Sequence, residues 1–464
     1  MRPATRHFAL VEGRQVLYRR VGEGPAVFVL HGSPQASRAV AAVAEACANR
    51  GLCAISPDTP GAGRSDPLPG ERPSSADYAG HLKGLADALG LRRVGLYGFH
   101  TGAATACAFA GLFPERTSAV ALEGLPAWTE AERVDFTANY LPPFRPAWDG
   151  SHMTWLWARM EEQSVFFPWS SPTAEARMGY PVSPTFGVHA NAMDLLDAGD
   201  AYRAVYQAAF DFRPESWLEQ LRAPALICTT EFDVLREHLD RAPLVSKGRA
   251  FESLVGIQAA CAEHLAAHPG EVAPPAPSIR DRGFVDVGGE ALAWRGEPAG
   301  VLTLHAAGGR LDDLALEGLR LDLPGHGDSA EGWDEAPVDL AGWADVVSAA
   351  LASIGASAVG ISGQGIGGRI AERLGGRSIG SGYGPPPSLG FGSVSLRPEW
   401  DGAHLVRAWR IARWERLFKP WHERVQARAL NPFGDLDPQA IHRRAVGLLK
   451  AHDRWLAAAH LEAP

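Results

Sequence analysis

The chain has no stretch of about 18 uninterrupted apolar residues, and its opening MRPATRHFALVEGRQVLYRR lacks the apolar core of a secretory signal. Neither membrane insertion nor export is expected. The five cysteines (Cys47, Cys53, Cys107, Cys228, Cys261) are odd in number, fall in the first 261 residues and form no CxxC pair, which fits a reduced, cytoplasmic location best. There is no long basic run, and the net charge of −9 is spread along the sequence without aromatic residues interleaved among lysine and arginine. That excludes a nucleic-acid surface. What is present is an ordinary globular balance, 46% hydrophobic and 21% charged over 464 residues. One core rarely grows past about 250–300 residues, so two domains are expected.

Apolar runs at Val27–Leu30 and Cys53–Ser56 end in turn residues and alternate with helical stretches near 39–49 and 75–89, followed by a strand at 93–97. This is the alternation of an α/β sheet, mostly parallel. The sheet resumes at Ala119–Leu122 and Ala225–Cys228, and the intervening residues, about 127–215, read as a helical cap. The first domain is expected over 1–265, a Pro-rich semi-rigid linker over 266–282, and a second domain over 283–464 with cap helices at about 396–464.

Past the linker the sequence begins again. Phe284–Trp294 echoes Phe8–Tyr18, Val301–His305 echoes Val27–His31, and Leu321–Ser329 echoes Pro57–Ser65. Within the caps, Arg397–His404 echoes Arg145–His152, Trp409 echoes Trp157, and His442 echoes His189. The second copy runs only to the counterpart of about residue 211, so it is expected to be truncated, without the last two strands and the final helix. An open sheet edge is costly, and an intramolecular pseudo-dimer of the two modules is the expected cover.

Three motifs carry a resemblance: His31-Gly32-Ser33-Pro34 after an early strand, the turn Asp58–Asp66, and the glycine-framed elbow Gly98-Phe99-His100-Thr101-Gly102. A second elbow reads Gly363-Gln364-Gly365-Ile366-Gly367. With these motifs the chain resembles the α/β-hydrolase superfamily, over nearly all of 8–265 and partially again in the second copy. The resemblance implies tandem α/β-hydrolase-like modules whose elbow, normally G-x-S-x-G, lifts a nucleophile into the pocket. Here that position holds His100 in one copy and Gly365 in the other; the second site is therefore expected to be degenerate. By the same resemblance, Ser33 and Thr101 would supply oxyanion N–H groups, and Asp233 would be the acid after a late strand. The family's histidine, expected in the loop before the final helix, has no counterpart in Lys247–Leu254, and His238, His264 and His268 are the nearest.

His31, Gly32, Trp148, Asp149 and His152 are candidate pocket or cap residues. The last three recur as Trp400, Asp401 and His404, which suggests one structural job done twice, such as helix capping. The alternative is that His152 pairs with His100. No metal-ligand spacing accompanies His152, and no cofactor or metal is expected. The implied function is an enzyme acting on a small hydrophobic ester, amide or related carbonyl compound, with His100 as base or attacking group. An inactive binding or scaffold protein of the same fold and a lyase are the alternatives.

Overall fold

The computed structural model describes residues 4–179, 182–241, 248–314, 317–331, 339–356, 358–384 and 394–462. It divides into two compact units, Met1–Arg145 with Arg159–Pro277, and Pro146–Ala158 with Ser278–Pro464.

The first unit holds an eight-stranded sheet: β1 (Thr5–Val11), β2 (Arg14–Val21), β3 (Ala26–Leu30), β4 (Cys53–Pro57), β5 (Val94–Phe99), β6 (Thr117–Glu123), β7 (Ala225–Thr230) and β8 (Arg249–Phe251). Their spatial order is β1-β2-β4-β3-β5-β6-β7-β8, antiparallel at β1/β2 and β2/β4 and parallel elsewhere. β3 and β6 are buried along their whole length, which is why they read as continuous apolar runs rather than alternating ones. Each fully buried Val, Leu or Phe there contributes about 1.5–3 kcal/mol. The pairing of Leu30 with Gly98 sets the functional geometry, because it brings the loop after β3 beside the elbow after β5.

The second unit contains β9 (Arg282–Val287), β10 (Glu290–Arg295), β11 (Gly300–Leu304), β12 (Leu319–Leu321), β13 (Ala358–Gln364) and β14 (Arg377–Gly380). Their order, β14-β13-β11-β12-β10-β9, repeats that of β1 to β6 strand for strand. The register repeats too, Leu304 lying opposite Gly363 as Leu30 lies opposite Gly98. Among the described residues no strand takes the places of β7 and β8 beyond β14.

Two expected boundaries differ. Residues 266–277 of the expected semi-rigid linker belong to the first unit: Ala26 N–H donates to Glu271 O (2.8 Å) and Ala273 N–H to Gly24 O (2.9 Å), so the proline-rich stretch is pinned at the start of β3. And cap residues Pro146–Ala158 pack with the second unit rather than with the rest of the first cap. Among the described residues, no helix is long and apolar enough to cross a membrane.

Candidate functional site

The elbow is a sharp turn between β5 and the helix Thr101–Leu112, and His100 at its apex has φ 50° and ψ −109°. A side chain in that region costs about 1–3 kcal/mol, a strain that surrounding packing must hold. The flanking glycines make the turn possible: a Cβ on Gly98 would lie 2.3 Å from Gly102 O, and one on Gly102 would lie 2.6 Å from Leu30 O. The ring of His100 stacks on Phe99 with centroids 3.9 Å apart, and its Nε2 lies 3.0 and 3.1 Å from the two carboxylate oxygens of Asp233. Asp233 sits on the loop after β7, where its Oδ1 also accepts the N–H of Leu235 at 2.7 Å. Nε2 therefore carries the proton in the hydrogen bond, and among the described residues Nδ1 makes none.

Burial alone would lower the pKa of His100. The charge of Asp233, its hydrogen bond and the nearby Glu123 outweigh burial and hold it above the ordinary 6.5. For Asp233, burial would raise the pKa, but the charge and hydrogen bond of His100, with the Leu235 N–H, hold it below 3.8. Behind this pair, Tyr97 donates its hydroxyl to Glu123 at 2.6 Å, and burial pushes the Glu123 carboxyl up.

Thr101 opens the helix after the elbow, so its N–H has no acceptor within that helix and points with the positive end of the dipole. Its hydroxyl lies 3.1 Å from that of Ser33, tying the two loops together, and Tyr206 donates to Ser33 O at 2.7 Å from the cap. Above them is a cavity of about 220 Å³. Its walls are largely aromatic, with Trp128, Tyr140, Phe167 and Phe210, and its polar groups include His100, Ser33, Thr101, Gln35, Gln163 and Asn191.

The other candidates lie elsewhere. His31 does not line the cavity. It is buried, donates from Nδ1 to Gly32 O (2.9 Å) and accepts the Thr59 N–H at Nε2 (2.9 Å), clamping the loop after β3 to the one after β4. Gly32 leaves room for Phe99, whose Cδ1 would be 3.0 Å from a Cβ there. His305 repeats the clamp, with Ala306 O at 2.8 Å and Leu323 N–H at 3.0 Å, and burial keeps its pKa down at about 4.

Trp148, Asp149 and His152 belong to the second unit and are not cavity residues of the first. Asp149 accepts the N–H of Ser151 at 2.9 Å and His152 Nδ1 accepts that of Ala147 at 3.1 Å; Asp401 and His404 do the same for Ala403 (3.0 Å) and Glu399 (3.2 Å). Trp157 Nε1 donates to Trp400 O (3.1 Å) while Trp409 Nε1 donates to Trp148 O (3.3 Å). A Cβ on Gly150 would fall 2.6 Å from the Trp409 ring, and one on Gly402 would fall 2.3 Å from that of Trp157. The repeated Trp-Asp-Gly-x-His motif is thus a reciprocal clasp inside the second unit, in which each glycine admits the other's tryptophan.

At the second elbow Gly365 has φ 52° and ψ −123°, and a Cβ on Gly363 would lie 2.3 Å from Gly367. The backbone of the first elbow is reproduced, but the space above it is filled. The carboxylate of Glu462 accepts N–H bonds from Ala307 (2.8 Å) and Ile366 (3.2 Å) through Oε1, and from Gly384 (3.4 Å) through Oε2. Ala307 and Ile366 occupy the positions that Ser33 and Thr101 hold in the first copy. Burial pushes the Glu462 carboxyl up, opposed by those three N–H groups and by the charge of Arg444. Arg444 is buried in a paired contact with Glu415 (2.6 and 2.8 Å) and donates to Ala307 O at 3.0 Å. No motif announced Glu462, Glu415 or Arg444.

Residues 25–149 match the family model described as alpha/beta hydrolase fold. An uncharacterised protein of Mycobacterium tuberculosis is 31% identical over 140 residues, 30% of this chain and 40% of that protein. The 2-hydroxy-6-oxo-6-phenylhexa-2,4-dienoate hydrolase of Comamonas testosteroni is 37% identical over 114 residues, 23% of this chain and 38% of the other. The chain thus spans about two fifths of the length of the curated relatives it matches. Among solved structures, epoxide hydrolase A from Mycobacterium thermoresistibile aligns with 58% of this chain and 100% of its own at 17% identity and a TM-score of 0.45.

Proposed function

We propose that the first unit, whose residues 25–149 match the alpha/beta hydrolase fold model, is an α/β-hydrolase-type enzyme for a small, largely apolar ester, amide or related carbonyl compound, with the His100–Asp233 pair as its base. The observation that carries this reading is the hydrogen bond from His100 Nε2 to Asp233, which leaves Nδ1 as the basic atom of a ring that lines the cavity. Nδ1 takes a proton from water as the water oxygen attacks the carbonyl carbon. The imidazolium so formed is stabilised by Asp233, and the negative oxygen of the tetrahedral intermediate is received by the N–H groups of Ser33 and Thr101. On collapse the imidazolium returns its proton to the leaving group and the ring is neutral again. A cavity of about 150 Å³ holds a benzene ring, so 220 Å³ suits one ring with a short extension. The Comamonas testosteroni relative is named for a phenyl-bearing oxo compound, in keeping with that class.

A second reading is proton abstraction from a carbonyl compound followed by elimination, as in a lyase. It is favoured by one observation: the hydroxyls of Ser33 and Thr101 are tied to each other beside the elbow, and neither has a hydrogen bond to His100 among the described residues. Purified wild type and His100→Ala, assayed side by side on short-chain p-nitrophenyl esters and amides, test both. Turnover lost in the variant supports the base role. Full turnover in His100→Ala sinks it, and turnover on carbonyl adducts but not esters selects the lyase reading.

A further inference from the structure

The amide pair that characterises the first site is present again in the second unit, and there its ligand is visible. Ala307 and Ile366 N–H meet one oxygen of Glu462 and Gly384 N–H meets the other. The helix Ile366–Arg373 directs its N-terminus at that carboxylate. Gly365 and Gly382 clear the space: a Cβ at either would lie 2.2 or 1.8 Å from a carboxylate oxygen. A buried guanidinium, that of Arg444, stands beside the cradle with its own partner Glu415 and a bond to Ala307 O. Charge, donors and shape all match a carboxylate.

We propose that the second unit is a carboxylate-binding site that the chain fills itself, Glu462 being a tethered ligand, and that a free carboxylate of acetate size takes the same three amides once Glu462 is cut back. In the intact chain the tether gives Glu462 an effective concentration in the millimolar range or above, so free acetate competes poorly. This inference is independent of any activity at His100.

The test is Glu462→Ala unfolded thermally in sodium acetate at constant ionic strength, with sodium chloride and acetamide as controls. Its midpoint is expected to rise by about 3–6 °C as acetate reaches ten times its dissociation constant. Acetamide and chloride should give no such rise, and wild type should gain nothing specific to acetate. An equal response of Glu462→Ala to acetate and chloride overturns the proposal, as does a wild-type shift as large as the variant's. Should Glu462→Ala fail to fold, Glu462→Ser also vacates the carboxylate position while keeping a short polar side chain there. Broadening of the ¹³C-acetate signal by that variant, absent with wild type, is then expected, and no broadening overturns the proposal.

Discussion

The two elbows share a backbone and differ in everything placed on it. Dihedral angles at His100 and Gly365 agree within about 15°, and the flanking glycines make the same close approaches. One turn lifts an imidazole, held by Asp233, toward a cavity; the other lifts nothing and admits a carboxylate from Glu462 together with a buried Glu415–Arg444 pair. Gln163 and Asn191, which line the first cavity, stand at the positions that Glu415 and Arg444 hold in the second. The turn is therefore a property of the glycine frame, and the chemistry is a property of the apex residue and of what the cap sends in.

The sharpest way to break this contrast is catalytic. His100→Ala should cost about 10³-fold in kcat/KM or more, the scale of a lost general base with its positioning, and Asp233→Asn about 10²-fold with the same KM. Next in size is Arg444→Met, which strands a buried Glu415 and should lower stability by about 3–5 kcal/mol in denaturant melts. The matching Asn191→Met in the first unit should cost no more than about 1.5 kcal/mol, because no charge is orphaned; equal losses would erase the distinction between a filled site and an open one. Gly150→Ala and Gly402→Ala should each cost about 2–4 kcal/mol, since both force a Cβ into a tryptophan ring at positive φ. Unequal losses would mean that the clasp is not reciprocal.

The smallest effect is a pH dependence. His100 has a raised pKa, so its contribution to stability is full below 6.5 and fades as the pH rises through its folded value. Asp233 has a lowered pKa, so its contribution is full above 3.8 and fades as the pH falls through its folded value. The stability gap between wild type and His100→Gln should be widest between pH 3.8 and 6.5, by about 1–2 kcal/mol, and shrink on both sides. Urea melts across pH 3 to 9 would check it, and a flat gap would mean that the pair is not ionic.

The fold class was legible because the buried parallel strands read as short apolar runs ended by Gly or Pro, a signal written locally in β3 and β4. The elbow was legible for the same reason, since its glycines are adjacent in sequence. Asp233 could be assigned to the loop after β7, but 133 residues separate it from His100, and no local pattern encodes a side-chain approach over that distance. Glu462 is harder still: a single glutamate after a short helix has no periodicity or motif, and only tertiary placement brings it to Ala307 and Ile366. His31 misleads in the opposite direction, because a polar residue beside the elbow motif is spent on joining two loops rather than on the cavity.

The clasp has a consequence for how the protein is made. Trp157 donates to a carbonyl of Trp400, 243 residues further along the chain. At about 5–20 residues per second a ribosome takes roughly 12–50 s to cover that distance. For that interval the segment Pro146–Ala158 is synthesised but without its partner in the second unit, and Trp157 has no Trp400 carbonyl to donate to. Vectorial synthesis thus leaves the first half of the clasp waiting on the nascent chain for the second.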